Sequence, residues 1–475
     1  MLEGTKLVTS LAYCAFIVVL TDAFNACGGL IYPSGSFVFF LALQTLILGG
    51  MAKAVLGEPL DSNLINARQS MLVYLAGACS VWAAARTSAL FRLKRPFLLK
   101  AQVTANLDQT SIGAALIGFF GAYLVPIAYR SSFNQANQFV SLSLLLAVYS
   151  STKKSDGRKS SSLFATLLWC GLTLWGVVVF SKTGIFMPSL VWAIGATLGG
   201  YRLTMRRALF AGVLFGSMTL FLTPISQVGR IYRDRPDVVE IAADMLMHPV
   251  RTRELYEQQQ ERDKASLGYH WFDHGEGLLD RLTIIPIDDA LIHRTDRGYS
   301  PGSLPLETYA INMIPRYLVS SKITWRWGNR YGHEIGLLGA HDDITGISFS
   351  PFADAYHCLQ WWGVTVVSFP LYLGMFWFCD SLTGSTRDTL WATLYILFFS
   401  HYAPEGMMNT PFYAVSFIAF MVTFVALTSR YVLPIIGSLV IPVPRLQRAP
   451  VSLVVNRPRR APLLPSVPRT IEEKL

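Results

Sequence analysis

The stretch Asp354-Ala355-Tyr356-His357-Cys358-Leu359-Gln360-Trp361-Trp362-Gly363-Val364 marks where a long polar region ends and an apolar segment begins. That segment continues to about residue 379, beyond the roughly 18 residues that a helix needs to cross a bilayer. It therefore predicts a membrane helix that starts beside a cluster of polar groups. Further candidate helices lie near residues 7–23, 33–53, 70–86, 110–128, 135–150, 162–180, 184–200, 207–224, 388–402 and 411–436.

The composition supports the same class of protein. Of 475 residues, 52% are hydrophobic and only 15% are charged, whereas soluble proteins carry about a quarter charged residues. Backbone N–H and C=O groups in lipid must form hydrogen bonds within the protein, which excludes an open sheet. An outer-membrane barrel is also disfavoured, because its strands alternate apolar and polar residues, whereas the apolar runs here are continuous. The sequence predicts an all-α polytopic membrane protein with about 11 transmembrane helices, in a range of roughly 10 to 12.

The basic residues predict the orientation. They cluster in short loops and in the tail: 92–95, 153–159, 202–207 and 445–460. Because successive membrane helices cross in alternating directions, all four clusters fall on one side of the membrane. By the positive-inside rule this side is the cytoplasm. The N-terminus then lies outside the cytoplasm. Lys6, Lys53 and Arg68 would also lie there, which is contrary to the usual cytoplasmic placement of basic residues, so an additional early helix is possible in this scheme. Because these clusters explain the net charge of +10, a nucleic-acid partner is excluded.

Four regions follow from this topology. Residues 1–224 form an N-terminal transmembrane bundle, 225–354 an extracytoplasmic (periplasmic) loop domain, 355–440 the C-terminal transmembrane helices and 441–475 a disordered basic cytoplasmic tail. Within the loop domain, periodicity predicts helices over 237–262 and 276–294, and the Gly, Pro and aromatic content of 300–352 predicts an ordered loop.

The main candidate site lies in the loop domain. Its cations are Arg281, Arg316, Lys322, Arg326 and Arg330, and its acids are Asp342, Asp343 and Asp354. One interpretation is that these groups form structural ion pairs. The other is that the cations bind a diphosphate, while Asp343 or Asp354 acts as a base toward a sugar hydroxyl. His333 is the alternative base.

Other candidates carry similar alternatives. Lys182, in a turn between two helices, is either a snorkelling lysine or a phosphate ligand at a helix N-terminus. Arg230 is either a solvated juxtamembrane residue or part of a diphosphate clamp. Trp325, Trp327, Asn329 and Tyr356 are candidates for sugar binding, although interfacial tryptophans also anchor membrane proteins. His270 and His274 lack a third ligand, so no metal is expected, and no nucleotide-binding motif is present.

The series Ile314-Pro315-Arg316, Lys322, Gly328-Asn329, Asp343, Thr345, Ser348, Tyr356 and Gly363 resembles the bacterial repeat-unit polymerases of O-antigen and exopolysaccharide synthesis, the Wzy class. Lys182 and Arg281 also sit where such proteins tend to place comparable residues. The resemblance implies an inner-membrane glycosyltransferase, with its active face extracytoplasmic, that polymerises undecaprenyl-diphosphate-linked oligosaccharides. It implies no cofactor and no bound metal, and it suggests flippase and chain-length regulator proteins as partners.

Three alternatives remain open at this point. An O-antigen ligase-like glycosyltransferase shares the lipid-diphosphate donor and the large external loop. A lipid-linked oligosaccharide flippase or transporter needs polar groups along a transmembrane path and often internal repeats, and this sequence has few intramembrane charges and no visible repeat. A membrane scaffold for polysaccharide export needs none of the proposed catalytic groups.

Overall fold

The computed structural model describes residues 4–101, 106–120, 137–232, 235–264, 270–273, 283–314, 326–343 and 345–441. Regular structure in these residues is helical, apart from one isolated parallel bridge between Phe349 and Gly406. The prediction of an all-α fold is confirmed. The predicted disordered tail lies outside the described residues from 442 onward.

The helices are numbered here in chain order. They are α1 Leu7–Cys27, α2 Pro33–Leu56, α3 Ala67–Leu90, α4 Leu107–Phe119, α5 Asn137–Lys154, α6 Leu163–Val178, α7 Lys182–Leu198, α8 Met205–Val228, α9 Val238–Met247, α10 Pro249–Lys264, α11 Ile285–Asp296, α12 Leu304–Asn312, α13 Trp327–Glu334, α14 Pro351–Thr383, α15 Ala392–Glu405, α16 Asn409–Tyr431 and α17 Leu433–Ser438.

Five of these helices are long and apolar enough to cross a membrane, by length and composition. They are Leu7–Cys27, Pro33–Leu56, Met205–Tyr232, Pro351–Thr383 and Asn409–Tyr431. The other six predicted segments are also helical where they are described, but each helix is shorter than 18 residues or more polar. The chain therefore has the character of a membrane protein, and the total of 11 spans remains a prediction.

Helix α3 separates two polar regions. At its start, the backbone N–H groups of Ile65 and Asn66 donate to Asp289 at 2.5 and 3.2 Å. Just beyond its end, Arg92 pairs with Asp380 at 3.0 Å. A helix of 24 residues spans about 36 Å. The two regions therefore lie at opposite ends of the bundle, here called the insert end (residues 53–66, 271–273, 283–314, 326–343, 345–357 and 405–408) and the basic end (residues 91–101, 151–162, 200–207 and 380–391).

Contacts around the basic end bring three basic loops together. Trp391 donates to the carbonyl of Ala101 at 3.1 Å, and Gln109 donates to the carbonyl of Ile441 at 2.9 Å. Asp108, the residue before Gln109, pairs with Lys154. The N–H of Arg202 then donates to the carbonyl of Gly157 at 2.9 Å. Clusters 92–95, 153–159 and 202–207 thus share one end, as the orientation model requires, although which compartment that end faces remains a prediction.

Lys53 is one of the basic residues that the predicted topology places outside the cytoplasm, and the structure shows why it is tolerated there. Its side chain is fully buried and contacts Glu58 at 3.8 Å and the carbonyl of Pro59 at 3.0 Å. Its charge is therefore neutralised inside the fold. Residues 4–101 contain no membrane-length helix beyond the predicted ones, so an unrecognised early helix is not needed in the described chain.

The loop domain differs from its prediction in three places. The helix expected over 237–262 is broken at His248, because Pro249 begins a second helix. The helix expected over 276–294 is found as Ile285–Asp296, with 274–282 outside the described residues. The loop expected over 300–352 is wrong in part, because α12 and α13 lie there. In α13, Trp327 and Tyr331 are one turn apart and both are buried. Their helical spacing was a sequence signal for this helix, but the high Gly and Pro content of the region outweighed it in the prediction.

Helix α14 is kinked where the polar sequence gives way to the apolar one. Leu359 and Gln360 leave helical geometry, with Gln360 at φ +50°, and a π-helical turn follows over Gly363–Val367. A Cβ on Gly363 would lie 2.0 Å from the carbonyl oxygen of Ala355. Glycine is required at 363 because the kink brings these two turns into contact. The kink separates the turn that carries Asp354 and Tyr356 from the membrane-length part of the helix.

Candidate functional site

The candidate site is a buried polar network at the insert end, where α3, α11, α13 and α14 meet. Asp354 is at its centre and is fully buried. Its carboxylate accepts hydrogen bonds from the Tyr331 hydroxyl at 3.0 Å, the Met408 N–H at 2.8 Å and the Tyr309 hydroxyl at 3.3 Å. A buried carboxylate needs such partners to offset its loss of hydration. In this conformation a sugar hydroxyl cannot reach Asp354, so its geometry supports a positioning role over that of a base.

Tyr356 connects three helices of the network. Its hydroxyl donates to Asp296 of α11 at 2.7 Å and accepts from Gln69 of α3 at 2.6 Å. The side chain is only 3% exposed. Its ring packs edge-on against Trp361 at 5.4 Å. Tyr356 is therefore part of the helix packing here, and the predicted sugar contact has no exposed ring face.

A carboxylate–imidazole–hydroxyl chain adjoins Asp354 and was missed by the sequence analysis. Glu334 contacts Nε2 of His357 at 3.1 Å, and Nδ1 of His357 contacts the Thr295 hydroxyl at 2.8 Å. Partial burial raises the pKa of Glu334, but the hydrogen bonds and charges of His357 and Arg330 outweigh it, so the pKa is lowered. The only sequence signal was His357 one residue beyond Tyr356.

A second missed feature is the pair Asp288 and Asp289, both buried in α11. Asp288 accepts from the Tyr74 hydroxyl at 2.5 Å and from the Ser350 N–H at 3.0 Å. Burial raises the pKa of Asp288 to about 7, although the bonds from Ser350 and Tyr74 act in the opposite direction. Asp289 accepts from the Ser70 hydroxyl at 2.5 Å, and burial raises its pKa too. The signal available was two acids between the apolar residues Ile285-Pro286-Ile287 and Ala290-Leu291-Ile292.

Asp343 and His333 are the predicted bases that remain accessible. Asp343 is exposed, and its backbone carbonyl accepts from Arg326 at 3.1 Å. His333 is half-buried, with Nε2 at 3.0 Å from the carbonyl of Asp342. Both belong to one small unit formed by α13 and the loop residues 342–343 and 345–347. A base for a sugar hydroxyl must be reachable by substrate, and these two residues meet that condition.

Asn329 holds this loop in place. Its amide nitrogen donates to the carbonyls of Asp342 and Thr345, at 2.7 Å each. A Cβ on Gly328 would lie 2.3 Å from the carbonyl oxygen of Ile347, so the loop packs directly on the helix backbone there. The Gly-Asn pair of the sequence motif therefore fixes the position of Asp343. Because its amide nitrogen is used in this way, the side chain of Asn329 could make the predicted sugar contact only through its amide oxygen.

Trp327 does not present an open ring. It is 3% exposed, and its ring lies 5.7 Å from that of Tyr331 and beneath the Arg330 guanidinium at 5.2 Å. Such a ring stabilises α13 by packing. A stacking surface for a sugar needs an exposed face, so the predicted role of Trp327 is not supported by this conformation.

Lys182 and Arg230 border a second hydrophobic cluster, which packs around Val177, Phe180 and Ile185. The Ser181 hydroxyl accepts from the Gly184 N–H at 3.1 Å and caps α7, which begins at Lys182. A Cβ on Gly229, beside the exposed Arg230, would meet the Phe180 ring. The structure thus brings these two cations to one cluster, which is distinct from the network around Asp354.

The remaining predicted ligands, Arg281, Arg316, Lys322 and Trp325, lie outside the described residues, as does His274. In the ranges that are described, no group of three His, Cys, Asp or Glu side chains could hold a metal ion. Comparison of the chain with protein-family models, with curated proteins and with solved structures gave no match.

Proposed function

We propose that this protein is a membrane glycosyltransferase that polymerises undecaprenyl-diphosphate-linked oligosaccharide repeat units into O-antigen or exopolysaccharide. One observation carries the proposal: the described parts of the motif series, around Gly328-Asn329, Asp343 and Tyr356, are connected in space. Tyr331 binds Asp354, and Glu334 binds His357, so α13 with its Asp343 loop is joined to the start of α14. This unit lies at the end of the bundle opposite the basic loops, on the side that a lipid-linked glycan would face in the bacterial inner membrane.

The proposed reaction forms one glycosidic bond. A hydroxyl of the acceptor repeat unit attacks the anomeric carbon of the donor glycan, and the bond from that carbon to the lipid diphosphate breaks. Asp343, or His333 as the alternative, takes the hydroxyl proton. The diphosphate leaves with the negative charge, which Arg316, Lys322 and Arg281 stabilise. The buried residues Asp354 and His357, together with the half-buried Glu334, position α13 and its loop for this step.

The proposed test uses the full-length protein purified into liposomes. With lipid-diphosphate-linked repeat units as the only glycan, and with no nucleotide or divalent metal, we expect a ladder of longer lipid-linked glycans. A single product that forms only when a distinct acceptor such as lipid A core is added would replace the polymerase with a ligase. Transbilayer movement of the lipid without any new glycan would replace it with a flippase.

A second control addresses the scaffold alternative. Polymer should be lost from cells that carry Asp343→Asn while the protein remains in the membrane at normal abundance. Unchanged polymer in those cells would contradict an enzymatic role for this unit.

A further inference from the structure

A cavity of about 410 Å³ lies at the basic end, far from the network around Asp354. Helices α4 and α5 and the start of α6 surround it. Its lining includes Ile112, Ala147, Ser151, Lys154, Lys159 and Phe164. None of these residues has a part in the proposed reaction, so the cavity requires its own explanation.

The lining changes from apolar to charged along the helix axes. On α5, Ala147, Ser151 and Lys154 follow one another on one face, over about 10 Å of helix. On α4, Ile112, Ser111 and Asp108 follow the same order toward the basic end. A phospholipid at a membrane surface has the same gradient, from acyl chain through glycerol to phosphate.

The charges at the mouth favour an anion. Asp108 is compensated by Lys154. Lys159 also lines the cavity and makes no ion pair within the described residues. Two further exposed cations lie nearby in the chain, Lys153 in the last turn of α5 and Arg158 in the loop that follows it. The start of α6, capped by the Ser162 hydroxyl, opens on the same space and adds the positive end of a helix dipole.

The rim of the cavity would suit acyl chains. Leu163, which is 79% exposed, lies in the chain between the lining residues Ser162 and Phe164, and Leu439, which is 82% exposed, comes two residues before the lining residue Ile441. Exposed leucines beside lysines are typical of a membrane interface. Free phosphate would use the lysines but would leave the apolar part of the cavity without a function.

We propose that this cavity binds an anionic glycerophospholipid, with the phosphate at Lys159 and Lys154 and an acyl chain along Ile112, Ala147 and Phe164. The site lies in the leaflet at the basic end and is separate from the glycan site. Its occupant would contact α4, α5 and the start of α6 at once. Binding here does not depend on any catalytic activity of the protein.

The test is native mass spectrometry of the full-length protein in detergent, titrated with dioleoyl phosphatidylglycerol. We expect a retained lipid, and Lys159→Gln should weaken its binding by about tenfold, as for the loss of one charge-assisted contact. Lys153→Gln is the matched control: it removes the same charge at the end of α5, six residues before Lys159, from a side chain that stacks on Tyr149 and does not line the cavity. The lipid should bind to the Lys153→Gln variant as tightly as to the wild-type protein.

Three results would overturn the proposal. Equal weakening by both substitutions would show attraction to general surface charge. Equal retention of phosphatidylethanolamine would show that the anionic headgroup is not selected. Displacement of the lipid by glycerol phosphate at similar concentration would assign the site to a free phosphate.

Discussion

The hydroxyl of Tyr331 donates a 3.0 Å hydrogen bond to Oδ1 of Asp354, and this contact joins the loop domain to the start of α14. Both residues are buried, Tyr331 at 0% exposure and Asp354 at 0%. Tyr331 also packs against His357, with ring centroids 4.7 Å apart. One tyrosine thus orients both ionisable groups at the centre of the network.

Tyr331→Phe should destabilise the protein, because it leaves a buried carboxylate with one donor fewer. The expected cost is about 1–3 kcal/mol, and it is measured as a lower thermal unfolding temperature in detergent. Tyr431→Phe is the control, since Tyr431 is 60% exposed. If both variants unfold at the wild-type temperature, the hydrogen bond to Asp354 does not support the fold.

Asp343→Asn should lower the polymerisation rate by about 100-fold or more, the usual contribution of a general base. Stability should not change, because the side chain is exposed. Asp342→Asn is the matched variant: it removes the same charge one residue earlier, while an amide oxygen can still accept from the Thr345 N–H, as Asp342 does at 2.9 Å. Equal loss of rate in the two variants would point to a general effect of charge, and a normal rate in Asp343→Asn would transfer the role to His333.

Arg316→Ala should abolish most polymer, since the leaving diphosphate loses one charge-assisted partner worth about 2–4 kcal/mol. The measurement is polymer amount and length in cells, normalised to the quantity of protein in the membrane. Arg297→Ala removes a cation from an exposed position at the same end of the bundle and serves as control. Polymer of normal amount and length in Arg316→Ala would remove this residue from the site.

Stability should fall as pH rises from about 4 to about 7. The pKa of Asp288 is about 7 in the folded protein, against an ordinary value of 3.8, so the folded state binds more protons in this window. The lowered pKa of Glu334 acts in the opposite direction, but its effect lies below the ordinary value of 4.5. Asp289, whose pKa is also raised by burial, acts in the same direction, so Asp288→Asn, which keeps a neutral group, should make the decline in unfolding temperature between pH 5 and 7 shallower.

The control for this pH series is Asp156→Asn, at a side chain that is 84% exposed. That variant should show the wild-type decline. A wild-type protein whose unfolding temperature is constant or rises from pH 5 to 7 would contradict the assignment to Asp288.

The topology can be checked with reporter fusions after Gly339 and after Lys154. These residues lie at the insert end and the basic end respectively, and both are exposed. A phosphatase reporter, active only outside the cytoplasm, should work after Gly339 and fail after Lys154. Activity at both positions, or at neither, would exclude the orientation that the basic loops predict.

The sequence alone determined the all-α class and the position of each long apolar helix, because burying a backbone in lipid leaves few alternatives and 18 or more apolar residues form a local, readable signal. It also selected Asn329, Asp343 and Tyr356 as one group, because they belong to the motif series that resembles the repeat-unit polymerases. Local patterns carry such information because neighbours in the chain share a helix or a turn.

Only the tertiary structure decided the roles of these residues. It buried Asp354 and Trp327, which the sequence placed in contact with substrate, and it left Asp343 exposed on a loop held by Asn329. It also joined Asp288 to Tyr74, 214 positions apart, and Glu334 to His357. Burial and hydrogen bonding between distant segments depend on how the helices pack, and residue type and spacing do not encode that packing locally.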